Sequence, residues 1–539
     1  MAKCSNFMPN FSNTMFTPES IIYGLNIGDY LLASGNYLLK VHCGTVLVNN
    51  IHPVPVGSTH SIVTNTCESL PLISCNQNED GVSELSQLMP DFDAVIELIN
   101  HDEGLSNIGD YYPPLEEHFY RKESQYTFQL VHDNSEMRVP VTSIYLNHLT
   151  HRNLALVSKD FQVAVVFGAP TAGKTVIART ILNNALFFTS GEVAYLDLDV
   201  ELTSLEVPGC LSLTIHQTPI YGSFVPSKRS ANPDDLHCYW GFEAFLEMPH
   251  RYLSICKRLI SHYHVKLEAR DIPLVVRFPS FIKGYGKQLL LKFTKALKPD
   301  HFIYLSHKNA VELNGFVAEA FEAKDNPDSE VIAEFKELAN VTSLRGTRRA
   351  PEVSKRELHV RNKLLYFHQT SNKTFHFQSL LSNSPRTLSF DHALAFSVLN
   401  YNVDDASLYE RIDYLAEASV MGIFSYDGSE IPARGLYLNG SDFLKLETHF
   451  ICLCMVHSID HKHRHFNIYL PQLDQALNIE KALHEDSKLL LARGEGKVPP
   501  VDMIPPSIDG LFPYIDSAAK KKIGGVWKPR RGISRKNQG

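Results

Sequence analysis

The sequence predicts an α/β protein whose central domain, built on a parallel sheet, lies between two β-rich domains. The chain has 539 residues, which is more than one ordinary domain uses. Its middle third alternates continuous apolar runs with helical segments, as a parallel sheet covered on both faces does. The regions on either side are rich in short β-like runs. We place the domains at residues 1–150, 151–371 and 372–519, followed by a basic tail at 520–539.

The composition is that of an ordinary globular protein, with 44% hydrophobic and 20% charged residues. No apolar run approaches the ~20 residues of a membrane span, and the first residues lack the apolar core of a signal peptide. The nine cysteines are odd in number and follow no motif. This pattern favours a reduced intracellular compartment over a disulfide framework or a zinc site.

Positive charge is concentrated at the end of the chain. The whole chain carries a net charge of −8, whereas residues 520–539 contain eight Lys or Arg and no acidic residue. A basic end on an acidic body indicates an address signal or a local phosphate contact, and it argues against a broad nucleic-acid-binding face. A solvated, disordered tail is the alternative.

The first domain shows the pattern of an antiparallel β structure. Residues 28–50, GDYLLASGNYLLKVHCGTVLVNN, alternate Gly or Asn turns with β-branched and aromatic residues. Such spacing is typical of a small sandwich or barrel. After about residue 372 the pattern returns to β, with strand-like runs such as GLYLNG and FICLCMVHSID.

The central domain opens on VVFGAPTAGKTVIARTIL, which runs from Val165 to Leu182 and matches the full G-x-x-x-x-G-K-[ST] pattern. Glycines let backbone N–H groups approach phosphate oxygens, and the helix that follows points its N-terminus at the same anion. We expect Lys174 to bridge the β- and γ-phosphates and Thr175 to offer its hydroxyl to Mg²⁺. The predicted nucleotide-binding residues are Gly168, Ala169, Pro170, Thr171, Ala172, Gly173, Lys174 and Thr175.

Two acids follow at the end of the next strand, in AYLDLDVE. Strand alternation puts Asp197 and Asp199 on one face, at the sheet edge where ligands of open α/β sheets bind. One carboxylate suits Mg²⁺ and the other suits an acceptor hydroxyl. Three further apolar runs, at 272–280, 301–307 and 363–369, are interpreted as additional strands.

An ordered set of motifs resembles the nucleolar polynucleotide 5′-hydroxyl kinases, the nucleolar protein 9 or Grc-type branch, which is related to the Clp-type RNA kinases. The set begins with GKTVIARTILN and YLDLD, and Pro208 and Gly209 follow the acids. It continues with FIKGYGKQLL, LCMVHSID, FPYI and the ending GGVWKPRRGISRK, and the start of the chain resembles the N-terminal β domain of that branch. The likeness covers nearly the whole chain.

The resemblance implies a P-loop kinase domain between two β-rich domains, transferring the γ-phosphoryl group of ATP, with Mg²⁺, to the 5′-hydroxyl of RNA. The resemblance also implies a role in pre-rRNA processing and ribosome biogenesis, in the nucleus and nucleolus, with a Las-type endonuclease as the partner. We expect Asp199 to orient or deprotonate the hydroxyl and Asp197 to hold the metal's shell, although these two roles could be exchanged. Arg356 and Arg361 are the lid-arginine candidates, and Phe281 could stack on an RNA base.

The chain departs from the family pattern on the side of the hydroxyl acceptor. Leu202 and Ser204 stand where the family has glutamine and glutamate, and residues 277–281, RFPSF, replace the motif NTxGW, the RNA clasp. The sequence GFEAF at 241–245 replaces GDTSP. Two functions therefore remain open: an active kinase, and a catalytically weak nucleotide-binding scaffold that stabilises its nuclease partner. A P-loop ATPase unrelated to RNA is a third interpretation.

Overall fold

The structure is a computed structural model containing three β-sheets and five α-helices among the residues that it describes. The described residues are 4–77, 89–120, 125–131, 161–168, 173–188, 191–200, 207–223, 225, 232–280, 289, 292–293, 295–305, 353–403, 413–428, 430–471, 479–482 and 487–503.

The first sheet has nine strands, and every pairing in it is antiparallel. Its long third strand pairs with one set of neighbours through its first residues and with another set through its last, so it connects the two parts of the sheet around one apolar core. The strands are β1 (Thr14–Phe16), β2 (Ser20–Leu25), β3 (Tyr30–Cys43), β4 (Thr45–Val48), β5 (His52–Val54), β6 (Thr59–Val63), β7 (Leu72–Gln77), β8 (Ala94–Asn100) and β9 (Phe128–Leu130), and the short helix α1 (Ile108–Tyr111) follows β8.

The second sheet carries the phosphate-loop motif. Its strands are β10 (Val163–Gly168), β11 (Val193–Asp197), β12 (Cys210–His216), β13 (Leu236–Tyr239), β14 (Leu274–Arg277) and β15 (His301–Leu305), in the order β13-β12-β11-β14-β10-β15. Three helices accompany it: α2 (Lys174–Phe188), α3 (Pro249–His262) and α4 (Lys355–Phe367).

The alternation of side chains along β10 assigns the two faces of this sheet. Ala164 and Val166 pack with the apolar side of α2, whereas Val165 and Phe167 enter a second core that also contains residues of α3. Strands β10, β11, β12 and β14 are buried along their whole length on both faces, which is why β10, β11 and β14 read as nearly continuous apolar runs. The predicted central α/β domain is present.

The sheet is parallel only in part. Strands β11, β14, β10 and β15 are mutually parallel, as predicted, but β12 runs antiparallel to β11, and β13 runs antiparallel to β12. The crossover to a parallel neighbour usually contains a helix, whereas no helix lies in the described residues between β11 and β12, at 198–200 and 207–209.

The interpretation of residues 363–369 as a strand is wrong. Residues 363–367 form the last turns of α4, and His368 and Gln369 follow the helix. Ser354 caps this helix: its side chain accepts a hydrogen bond from the backbone N–H of Glu357, while the Glu357 carboxylate accepts one from the N–H of Ser354. Val360 and Leu364 recur at helical spacing and pack against the N-terminal region.

The third sheet has seven strands in the order β16-β21-β20-β18-β22-β17-β19. One of its faces shares a continuous apolar core with the central sheet, including Leu453 and Leu490 beside Val276. The strands are β16 (Arg386–Ser389), β17 (Ala393–Val398), β18 (Ser419–Tyr426), β19 (Tyr437–Asn439), β20 (His449–Asp460), β21 (His465–Tyr469) and β22 (Lys488–Arg493), and α5 (Gly440–Phe443) follows β19. Among the helices described, none is both long and apolar enough to cross a membrane.

Candidate nucleotide site

The frame of the phosphate loop is built by two glycines and a helix start. β10 ends at Gly168 and α2 begins at Lys174. Gly168 has φ 139° and Gly173 has φ 101°, both in the region that favours glycine. The intervening predicted loop residues, Ala169, Pro170, Thr171 and Ala172, lie outside the described part of the chain.

Lys174 is buried at the N-terminus of α2, with 5% of its surface exposed. Its ammonium donates to the Ser280 hydroxyl over 2.5 Å and reaches the carbonyl oxygen of Gly168 at 3.4 Å. Thr175 follows in the first turn of the helix and is half-buried. The amine that the motif assigns to phosphate therefore lies between the start of its own loop and the segment that follows β14.

The two predicted acids lie together at the carboxyl end of β11. Asp197 is the last residue of the strand, and the backbone N–H of Asp199 donates to its Oδ1 over 3.1 Å. Both residues are 2% exposed. A buried charge is costly unless it is paired and hydrogen-bonded, so the partner of these acids matters.

That partner is Arg277, the last residue of the adjacent strand β14. Its Nη1 donates to Oδ1 of Asp197 over 2.7 Å and its Nη2 donates to Oδ2 of Asp199 over 2.9 Å. Burial alone would lower the pKa of Arg277, but the two carboxylates outweigh this effect and raise that pKa above its ordinary value. The guanidinium is therefore charged and links both acids.

Neither lid-arginine candidate contacts a described residue of this acid cluster. Arg356 is exposed on the first turn of α4. Arg361 donates to the Nε2 of His118 over 2.9 Å and to the side-chain oxygen of its neighbour Asn362. Burial lowers the pKa of Arg361. Their assignment as phosphate-binding side chains stays a prediction.

The N-terminal region holds both the phosphate-loop helix and α4. Glu68, in the loop after β6, accepts a hydrogen bond from Arg179 of α2 over 2.7 Å. Burial would raise the pKa of Glu68, but the charges of Arg179 and Arg361 lower it overall. The same region supplies His118 to Arg361, so the first domain contributes to the surroundings of the site.

The contacts of Arg277 and Ser280 were not predicted from the sequence. Arg277 stands in the otherwise apolar run IPLVVRFPS, and an arginine that is buried in a strand needs an acidic partner. That signal was available, but the identity of the partner depends on which strand lies beside β14. Phe278 is buried against Phe293, and the predicted RNA contact Phe281 lies outside the described residues.

These side chains fit a nucleotide and a magnesium ion. Among the described residues, no three or more His, Cys, Asp or Glu side chains form a metal cluster. Mg²⁺ commonly binds through one or two carboxylates, substrate phosphates and water, so a complete protein cage is not required. Asp197 or Asp199, with Thr175, can supply the protein's share. The fold and the site therefore define a P-loop protein of the nucleotide-binding class.

Comparison with known proteins shows which proteins the chain resembles. A profile of the family described as mRNA cleavage and polyadenylation factor CLP1 P-loop matches residues 168–369. Polynucleotide 5′-hydroxyl-kinase GRC3 of Debaryomyces hansenii is 29% identical over 99% of this chain and 88% of its own length. Polynucleotide 5′-hydroxyl-kinase NOL9 of Arabidopsis thaliana is 28% identical over 27% of this chain and 40% of its own length.

A solved structure of the wild-type Clp1p–Pcf11p (454–563) complex aligns with 89% of this chain and 99% of that chain, at 16% identity and a TM-score of 0.49. The sequence relatives and the P-loop profile agree with each other. Over nearly its whole length the chain is similar to the GRC3 polynucleotide 5′-hydroxyl-kinases, and part of it is similar to NOL9, which supports the likeness that its motifs predicted.

Proposed function

We propose that this protein is an ATP-dependent polynucleotide 5′-hydroxyl kinase that phosphorylates the 5′-hydroxyl end of RNA during pre-rRNA processing. One observation carries the proposal: the two glycines and the helix start of the phosphate-loop motif lie at the same sheet edge as the two buried acids, Asp197 and Asp199. The names of the full-length relatives give the reaction class.

Phosphoryl transfer needs positioning and charge neutralisation more than covalent chemistry. Lys174, at the start of α2, would leave Ser280 and donate to the β- and γ-phosphates, where the helix N-terminus also favours an anion. Thr175 and Asp197 would hold Mg²⁺, which supplies positive charge to the phosphates when it is bound. Asp199 would accept the proton of the RNA hydroxyl. Arg356 or Arg361 would neutralise charge on the transferred group.

A labelled-phosphate assay tests the proposal. The full chain is incubated with γ-labelled ATP, Mg²⁺ and an RNA that carries a 5′-hydroxyl, with and without a Las-type endonuclease. We expect label transfer that falls at least a thousandfold in Lys174→Ala, because the variant loses the charge that stabilises the transition state. The control is Lys257→Ala, an exposed lysine on α3, which should retain full activity. Equal transfer by Lys174→Ala would refute the proposal.

The alternative is a nucleotide-binding scaffold. It is favoured by the guanidinium of Arg277, which occupies one oxygen of each acid, and by the changed clasp sequence. The same assay separates the two functions, since a scaffold binds ATP and transfers no label. Docking to a Las-type endonuclease and residence in the nucleolus, with the tail at 520–539 as the address signal, belong to the same proposal.

A further inference from the structure

The carboxyl end of β14 is the centre of the site. In the sheet this strand lies between β11, which carries the acids, and β10, which leads into the phosphate loop. Arg277 is in register with Asp197 on one side and with Val166 on the other. Three residues later, Ser280 accepts the hydrogen bond of Lys174. Three residues span at most ~10 Å, so one short segment contacts both halves of the site.

The contact between Arg277 and the acids is a bridge. Each terminal nitrogen of the guanidinium donates to a different carboxylate, over 2.7 and 2.9 Å. All three side chains are at most 3% exposed, so water screens this contact poorly. Two carboxylates two residues apart repel each other when both are charged, and the planar fork of an arginine offsets this repulsion while fixing their orientation.

We propose that Arg277 is a positioning residue for phosphoryl transfer, which holds Asp197 and Asp199 side by side and brings the net charge of the three side chains to −1. This inference rests on the proposed kinase function. The fixed orientation aims Asp199 at the hydroxyl acceptor. The reduced charge keeps divalent-cation binding weak until a nucleotide supplies phosphate oxygens, so that the cation enters together with its nucleotide.

The principal test replaces the guanidinium by an uncharged side chain of similar length, in Arg277→Met. We expect kcat for label transfer to fall about 100-fold, as misplacement of a catalytic group by ~1 Å does, with little change in the KM for RNA. In the nucleotide-free protein, Mn²⁺ binding measured by electron paramagnetic resonance should tighten about tenfold, because two carboxylates then lack their shared cation. A merely structural role would not tighten Mn²⁺ binding.

Arg270 offers a matched control. It also bridges two acids, with Nη1 on Asp234 at 2.6 Å and Nη2 on Glu192 at 2.8 Å, but it is 45% exposed and precedes β14 instead of ending it. Arg270→Met should leave kcat and Mn²⁺ binding at wild-type values. A second variant, Arg277→Lys, keeps the charge and loses the fork. It should restore weak Mn²⁺ binding and recover only part of kcat.

Two other outcomes, a variant that does not fold and a wild-type chain without kinase activity, are distinguishable from failure of the inference. If Arg277→Met fails to fold in a thermal unfolding scan, Arg277→Lys carries the test: reduced kcat at wild-type nucleotide affinity supports the inference. Wild-type kcat in Arg277→Lys, or unchanged Mn²⁺ binding in a folded Arg277→Met, overturns it. Absence of transfer in the wild-type chain defeats the kinase proposal instead, and the Mn²⁺ measurement still tests the charge effect.

Discussion

At the scale of single residues, the site depends on backbone conformations that only some side chains tolerate. Gly168 and Gly173 enclose the phosphate loop, and both have positive φ. An L-residue in the left-handed region costs about 1–2 kcal/mol because its Cβ crowds the following carbonyl oxygen. The motif predicted both positions, because its glycines are required by backbone geometry and not by a distant partner.

Replacement of Gly173 by alanine should weaken ATP binding. The added Cβ shifts φ away from 101° at the residue before Lys174, so the helix start no longer faces the phosphates. We expect ATP affinity, measured by isothermal titration calorimetry, to fall about tenfold, the equivalent of about 1.4 kcal/mol. The control is Gly57→Ala, at φ 80° in a turn where an added Cβ meets no atom within 4 Å. Equal affinities in the two variants would contradict the prediction.

At the scale of elements, a partly buried polar contact joins α4 to the N-terminal region. Arg361 of α4 donates to Nε2 of His118, so that nitrogen must be unprotonated. Burial, reinforced by the charge of Arg361, holds the pKa of His118 well below its ordinary value. The neutral imidazole is therefore part of the contact that holds α4.

This contact predicts a pH dependence of stability. Because the pKa of His118 is lower in the folded protein than in the unfolded chain, the unfolded chain binds more protons as the pH falls below about 6.5. The stabilisation is present above that pH and is lost below it. His118→Gln retains a hydrogen-bond acceptor and does not titrate. Between pH 6.5 and 5.5 its free energy of unfolding should therefore fall by about 1 kcal/mol less than that of the wild-type protein.

Urea unfolding, followed by the fluorescence of the buried Trp240, provides the measurement. The control is His457→Gln, since His457 is exposed and its replacement should leave the wild-type pH profile unchanged. A His118→Gln profile that parallels the wild type would show that another group causes the acid sensitivity.

Some of the secondary-structure elements could be predicted from the sequence, and others could not. Strands β10 and β11 and helix α2 were predicted because local signals define them: an apolar run, a glycine loop and a helical repeat. The run at 363–369 was misread because four of its residues are apolar or aromatic, while the capping residues Ser354 and Glu357 lie nine or fewer positions earlier. The Arg277 bridge depends on strand order, which no local pattern specifies.

At the scale of the whole molecule, the three sheets are joined by polar as well as apolar contacts. Asp502, which follows the last strand and is fully buried, accepts a hydrogen bond from Tyr111 of α1 over 2.7 Å and lies 2.8 Å from Nε2 of His368, just beyond α4. Burial and the charge of Asp502 raise the pKa of Tyr111. One carboxylate thus links residues near the end of the chain to the first and second domains. In this network Tyr111, His368 and Asp502 are more than 100 residues apart along the chain, so no local sequence pattern predicted it.

Removal of the Asp502 carboxylate should lower the thermal stability of the protein. Asp502→Ala leaves the Tyr111 hydroxyl and the His368 ring buried without their shared acceptor, and loss of one member of a buried polar network costs about 3 kcal/mol. We expect the thermal unfolding midpoint to fall by several degrees in one transition, because the residue stabilises all three regions together. The control is Asp391→Ala, whose carboxylate is 79% exposed and lies 3.5 Å from Arg464; its midpoint should match the wild type. A decrease confined to one of two separate transitions would show that the regions unfold independently and that Asp502 does not couple them.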